Sequence, residues 1–260
     1  MSKNFDPHQN YYLYNKKDST PLVFIHGVGL DHQMWNNQID YLNEFSILTY
    51  DLIGHGKTPC NKDKITLKDF SNQLLEILDH LKIDKINLVG FSLGSLIALD
   101  FSARYQKKLE KLILIGTTYK RSDQEKSFVL DRYNQAKLNK PISKKALKRW
   151  FSNKYLEEHP KTYDLFMKIL NKKPQDHKNF LKAYELFANH YDDIDSIKKI
   201  DTETLVMTGS DDVGSTPEMS KELVKDLVNS TYIEIQNGKH LCSIECSDDV
   251  NMNIKNFINN

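Results

Sequence analysis

A serine set between two glycines, Gly90-Phe91-Ser92-Leu93-Gly94, is the segment of this 260-residue chain best suited to do chemistry. It fits the pattern G-x-S-x-G. An apolar run, Ile86–Gly90, leads directly into it, and Leu93, Leu96, Ile97 and Phe101 follow at helical spacing. A sharp strand-to-helix turn forces its middle residue into a strained backbone conformation, and the glycines on either side leave room for it. The serine hydroxyl is thereby presented at a sheet edge and at a helix N-terminus, where developing negative charge is favoured. The chemistry expected of Ser92 is nucleophilic attack.

A serine hydroxyl needs a base. Of nine histidines, His240 is the best placed, because it follows an apolar run, Tyr232–Ile235, and a Gly238-Lys239 turn. His26 also ends a β-rich run, but a His-Gly pair before a loop reads as a residue that shapes the loop. His55 lies within a glycine turn, and His159, His177 and His190 fall among helical segments. The base in turn needs an orienting carboxylate. Gly209-Ser210-Asp211-Asp212 follows the apolar run Leu205–Thr208, and on the residues alone either aspartate serves. Gly116-Thr117-Thr118-Tyr119, after Leu112–Ile115, offers no acid. The oxyanion of an acyl transfer would be held by the backbone N–H groups of Leu93, which follows the nucleophile, and of Val28, which follows His26-Gly27.

These residues require a scaffold that brings strand ends together. Leu22–His26, Phe45–Tyr50, Ile86–Gly90, Leu112–Ile115, Leu205–Thr208 and Tyr232–Ile235 read as strands, with Tyr11–Tyr14 as a possible edge strand. Leu67–Leu81, the segment after Ser92, Leu223–Val228 and Val250–Ile258 read as helices. Near-continuous apolar strands alternating with amphipathic helices predict an α/β architecture, a mostly parallel sheet flanked by helices. Between about Ser122 and Ile200 no strand block appears. Pro141, Pro160 and Pro174 divide that stretch into helical pieces whose apolar residues recur at three and four. It reads as a helical cap inserted between two late strands. We expect a core of residues 1–118 and 201–260 and a cap of 119–200, lying over the site as a lid.

Composition narrows the function further. Lys+Arg total 36 against 35 Asp+Glu, so the net charge of +1 gives no electrostatic case for nucleic acid or an anionic membrane as the main partner. Arginine occurs only at 104, 121, 132 and 149, which argues against clusters of bidentate phosphate clamps. No apolar run approaches a membrane span, and MSKNFDPHQN lacks the features of a secretory signal. Cys60, Cys242 and Cys246 cannot all pair, so reduced thiols and a cytoplasmic location are expected, and no His/Cys grouping has zinc-ligand spacing. We expect no cofactor and no metal, a small-molecule substrate, and a monomer or homodimer.

Five segments together resemble the α/β-hydrolase superfamily over nearly the whole chain: HGVGLDHQMW (26–35), YDLIGHGKT (50–58), VGFSLGS (89–95), TLVMTGSDD (204–212) and GKHLCSIE (238–245). The resemblance implies the α/β-hydrolase fold with a helical cap. Its G-x-x-D pattern selects Asp212 over Asp211, completing a triad in the chain order Ser92, Asp212, His240. Position 92 is Ser, which sets the chain apart from relatives with an Asp nucleophile, the haloalkane dehalogenases and epoxide hydrolases. Thr58 and Thr204 depart from the usual Ser and Pro at structural positions. Within the superfamily the sequence is most similar to the carboxylesterase and 3-oxoadipate enol-lactonase-like branch, which implies a serine hydrolase acting on an ester or lactone. The rivals are C–C bond hydrolysis, acyl transfer or perhydrolysis on the same triad, and a hydrolase-fold receptor that binds a ligand without turnover.

Overall fold

The apolar blocks align in one seven-stranded sheet. The computed structural model describes residues 4–138 and 143–260, so Pro141 lies outside the described residues. The strands are β1 (Tyr12–Asn15), β2 (Leu22–Ile25), β3 (Ile47–Tyr50), β4 (Ile86–Phe91), β5 (Leu109–Ile115), β6 (Glu203–Gly209) and β7 (Ser230–Ile235), in the spatial order β1-β3-β2-β4-β5-β6-β7. β1 runs antiparallel to β3, and all other neighbours are parallel. The β-rich run at 45–50 begins as a strand only at Ile47. Phe45 belongs to a turn, its N–H donating to the Leu42 carbonyl, and Ser46 is tied down by Ser19 and Lys17.

Both faces of the sheet are covered, which is why the strands read as unbroken apolar runs. Val23, Ile25, Leu88, Leu112 and Leu114 face one core, while Leu22, Phe24, Val89, Ile113 and Ile115 face the other. The first face carries α2 (Leu67–Leu81) and α3 (Leu93–Tyr105), and the second α1 (Asn36–Tyr41) and α12 (Ser247–Asn259). α2 has the bounds its periodicity predicts. A Thr66–Asp69 capping box starts it, and Lys82, in the left-handed region, ends it. α10 (Pro217–Asp226) begins earlier than the apolar spacing from Leu223 indicates, because Thr216 caps it and Pro217 supplies a preformed first turn. No helix among the described residues is long and apolar enough to cross a membrane.

Between β5 and its direct neighbour β6 the chain runs through α4 (Asp123–Lys137), α5 (Ser143–Trp150), α6 (Asn153–Glu158), α7 (Pro160–Leu170), α8 (Pro174–Ala188) and the short α9 (Ile194–Ile197). Pro160 and Pro174 each open a helix, so the prolines punctuate the insertion as N-terminal residues and not as kinks. The insertion divides its apolar residues between the two cores. Val129, Tyr133, Phe180, Tyr184 and Phe187 join the α2–α3 side. Ala146, Leu147, Trp150, Phe166 and Ile169 join the other.

The sheet order reverses direction at β2. The chain goes from β2 outward to β3, then returns to place β4 on the other side of β2. The carboxyl ends of β2 and β4 therefore lie side by side at a switch point, where parallel α/β sheets form their ligand crevices. Close contact there depends on Gly94: a Cβ on it would stand 2.2 Å from the Ile25 carbonyl oxygen and 2.8 Å from that of His26. Gly94→Ala gains helix propensity of about 1 kcal/mol, yet backbone against backbone cannot yield, so a net loss of about 2 kcal/mol or more is expected in denaturant unfolding. Gly214→Ala, where the added carbon meets nothing closer than 3.5 Å, should change stability by less than about 0.5 kcal/mol.

Candidate active site

Ser92 occupies the turn between β4 and α3 with φ 54° and ψ −114°, a conformation that costs an L-residue on the order of 1–3 kcal/mol. Neighbouring groups hold it there. Its N–H donates to the Ile115 carbonyl at 3.0 Å, and the Ser95 hydroxyl donates to the Gly90 carbonyl at 2.7 Å. A Cβ on Gly90 would fall 2.4 Å from the Gly94 carbonyl oxygen, which accounts for the first glycine of the pattern. With the Ser92 amide already engaged, Leu93, the first residue of α3, carries the next N–H, which has no intrahelical acceptor.

His240 reaches the same place from the loop after β7. Its Nδ1–H donates to Asp212 Oδ2 at 2.7 Å, leaving Nε2 for the reaction side. The ring lies 4.9 Å from that of Phe91, and Gly116 is its neighbour on the other loop: an added Cβ there would be in ordinary contact, 3.5 Å, with two ring atoms. Asp212 is buried, and its other oxygen accepts the N–H groups of Gly214 and Ser215 at 2.8 and 3.0 Å. Burial alone would raise its pKa. Attraction to His240 and the hydrogen bonds from His240, Ser215 and Gly214 outweigh that and hold it below the usual carboxylate range. Asp211 is exposed and interacts with Ser210, so the structure pairs His240 with Asp212 and not with Asp211.

Val28 lies in the turn after β2, beside Ser92: an added Cβ on Gly27 would be 3.4 Å from that of Ser92. Two further histidines fix this turn. His26 donates from Nδ1 to the Gly27 carbonyl and accepts the Leu52 N–H at Nε2, at 2.8 and 2.9 Å. His55 accepts the Gly29 N–H at 3.0 Å and donates to the Ile53 carbonyl at 3.2 Å. The loop-shaping role read for His26 is therefore observed, and His55 shares it. Asp51 completes the support, accepting from the backbone and ring of His32 and from the Lys57 N–H. Asp31, His32 and Asp51 stand close enough together to suggest a metal cradle. Their oxygens are instead engaged by these donors and by Gln33, which makes the group a loop scaffold.

One cavity is lined by Val28, Ser92 and His240 from the core and by Trp150, Phe180 and Phe187 from the insertion. The insertion is bonded to the segments beside His240 and Val28. The Leu241 N–H donates to the Trp150 carbonyl at 3.0 Å, the Ser152 N–H donates to Glu245 at 3.0 Å, and Phe180 packs on Gly29. The wall holds a feature that the sequence does not reveal: Arg132 and Arg149, two of the four arginines, both line this cavity. Linear spacing hides it, because α4 and α5 bring together residues seventeen positions apart. The contributions of Phe91, Gly116 and the Gly214–Ser215 amides were equally invisible, since each depends on how a strand end meets a loop.

The model of a family described as the alpha/beta hydrolase fold matches residues 20–245. A curated relative, (E)-2-((N-methylformamido)methylene)succinate hydrolase of Acinetobacter baylyi, is 27% identical over 92% of this chain and 90% of its own. 3-Oxoadipate enol-lactonase 2 of the same organism is 22% identical over 91% of this chain and 87% of its own. Among solved structures, the enol-lactonase of Burkholderia xenovorans superposes with a TM-score of 0.88 at 24% identity, over 96% of each chain, a likeness of fold.

Burial pushes His26 and His55 below the ordinary histidine pKa, His55 well below it. Both Nε2 atoms accept backbone N–H groups, so protonation would break those bonds. In the unfolded chain they titrate near 6.5 (roughly). Below that pH the unfolded state binds more protons than the folded one, so stability falls on acidification and is level above about pH 6.5. His55→Gln retains an acceptor for Gly29. It should flatten the fall in denaturation midpoint between about pH 6.5 and 5 by up to about 1.4 kcal/mol per pH unit, the ceiling for one proton.

Proposed function

We propose that this chain, which belongs to the α/β-hydrolase fold family, is a serine hydrolase that opens a carboxylic ester or lactone through an acyl-enzyme. The observation that carries the reading is the Asp212–His240 hydrogen bond of 2.7 Å in a cavity shared with the strained Ser92. Ser92 Oγ attacks the acyl carbonyl as His240 Nε2 takes its proton. Asp212 fixes the tautomer with Nδ1 protonated and stabilises the imidazolium. The N–H groups of Leu93 and Val28 receive the oxyanion, and the protonated His240 delivers its proton to the leaving oxygen. Water activated by His240 then attacks the acyl carbon, and the acid departs as Ser92 recovers its proton. Every proton and bond is accounted for by these side chains and water.

In this reading the helical insertion, whose Trp150, Phe180 and Phe187 line the cavity with Ser92, acts as a lid that limits water around the oxyanion. The 3-oxoadipate enol-lactonase among the relatives supports lactone or ester opening as the reaction. C–C hydrolysis and acyl transfer would use the same groups and are separated by products: ester or lactone opening breaks the acyl C–O bond and leaves a carboxylate and a hydroxyl, C–C hydrolysis leaves a carboxylate and a new C–H bond, and an acyltransferase passes the acyl group to an added acceptor in preference to water.

Ser92→Ala should lower turnover of p-nitrophenyl acetate by about 10⁵-fold or more in folded protein. Asp212→Asn should cost about 10³–10⁴-fold, since an amide favours the wrong imidazole tautomer, while Asp211→Asn changes little. Retained activity in Ser92→Ala, or the reverse ranking of the two aspartates, would overturn the assignment.

A further inference from the structure

A base has to be held both at its ring and at its backbone. The ring of His240 is oriented through one atom, Nδ1, by Asp212. A ring tethered at one atom still swings Nε2 away from Ser92 unless the peptide that carries it is fixed as well, and proton transfer tolerates little misplacement.

The peptide groups on either side of His240 are both tied to the helical insertion. The Leu241 N–H donates directly to the Trp150 carbonyl at 3.0 Å. The Lys239 N–H donates to Glu245 Oε2 at 3.4 Å, and the other oxygen of that carboxylate, Oε1, accepts the Ser152 N–H at 3.0 Å. Glu245 thus spends its two oxygens on two parts of the molecule, the residue before His240 and the turn between α5 and α6. The chain between them is wound for this purpose. The Cys242 N–H donates to the Lys239 carbonyl and the Glu245 N–H to the Leu241 carbonyl, at 3.1 and 3.0 Å, so the side chain of 245 returns to 239. Two more bonds follow the same seam: the Lys239 ammonium donates to the Lys148 carbonyl and the Tyr155 hydroxyl to the Ile244 carbonyl, at 3.2 and 3.3 Å. On the core side, the fully buried Gln38 donates to the Ser243 carbonyl at 2.6 Å.

Glu245 forms no ion pair among the described residues, and it does not line the cavity of Ser92. Its charge is answered by backbone N–H groups, and such charge-assisted bonds are stronger than neutral ones. A carboxylate can accept from two directions on two oxygens, where an amide has one oxygen to offer.

We infer that Glu245 is a positioning residue for the base: it holds the peptide before His240 against the insertion and so keeps Nε2 within reach of Ser92. This rests on the serine-hydrolase reading above and adds a residue that acts through His240 without touching substrate. Its effect falls on proton transfer, a step common to every ester. A change at Glu245 therefore lowers kcat by one factor for small and large acyl groups and leaves KM in place, whereas a change in the cavity wall alters the preference among them.

The test compares Glu245→Leu, which has no acceptor, and Glu245→Gln, which has one oxygen in place of two, with the wild-type protein. Substrates are p-nitrophenyl acetate and p-nitrophenyl butyrate, with rates normalised to the folded fraction by circular dichroism. In Glu245→Leu, kcat should fall about 10-fold to 100-fold, equally on both esters, with KM within about twofold, and Glu245→Gln should fall between it and wild type. A readout independent of turnover is the proton resonance of His240 Nδ1–H, which lies far downfield because of the bond to Asp212 and should shift or broaden in both variants. A Glu245 that only stabilises the fold lowers the denaturation midpoint but leaves kcat per folded molecule and this resonance unmoved, which overturns the inference. A loss carried by KM, or confined to the larger ester, overturns it too. If Glu245→Leu does not fold, the isosteric Glu245→Gln decides on the same readouts. Turnover persisting in Ser92→Ala would instead sink the serine reading, and the Nδ1–H resonance would still report whether Glu245 holds the ring.

Discussion

The backbone of Ser92 is the constraint on which the rest of the structure depends. A residue at φ 54° and ψ −114° stays there only if its surroundings leave no alternative. Here the sheet provides them. The Ile115 carbonyl on β5 takes the Ser92 N–H, and the Ser95 hydroxyl ties the first turn of α3 back to β4. Gly94 lets α3 lie against the end of β2. Three neighbouring strands thus converge on one turn, which requires β2, β4 and β5 to be adjacent and parallel. The strain is held by the centre of the sheet, the part of the molecule with least freedom to relax.

Around that turn the protein uses histidine in two opposite ways. His240 leaves one ring nitrogen unengaged among the described residues and is oriented through the other by a buried carboxylate. His26 and His55 spend both nitrogens on the backbone and are too deeply buried to gain a proton easily. Three imidazoles within one site are set apart by their partners. A ring bridging two peptide groups is a rigid spacer, and a ring bridging a carboxylate and the cavity is the one suited to carry a proton in the proposed reaction.

The sequence makes local chemistry legible and tertiary convergence illegible. The G-x-S-x-G turn, the apolar strand blocks and the helix over Leu67–Leu81 can be read because period, caps and glycines act within a few residues. His240 can be chosen by its position after a strand. The choice between Asp211 and Asp212 rests on family pattern, because which of two adjacent side chains turns inward is decided by the Gly209–Asp212 turn. The pairing of Arg132 with Arg149 in one cavity escapes any count of arginines, since four such residues in 260 look sparse until α4 and α5 are placed. Short helices such as α1 and α11 (Cys242–Glu245) escape for a simpler reason: a turn or two of helix carries too little periodicity to register.

Two of the points at which the helical insertion meets the core adjoin the proposed reacting groups. α5 and its following turn are bonded to the loop that carries His240. α8 rests its Phe180 on Gly29, beside the amide of Val28. The cavity wall from the insertion and the groups proposed to process the substrate are therefore geared together. A ligand that displaces α5 shifts the loop of His240, the proposed base, and one that displaces α8 shifts the Val28 amide proposed to face the oxyanion. In such a mechanism an ill-fitting guest is penalised in its rate of reaction and not only in its residence, so discrimination is written into kcat as well as KM.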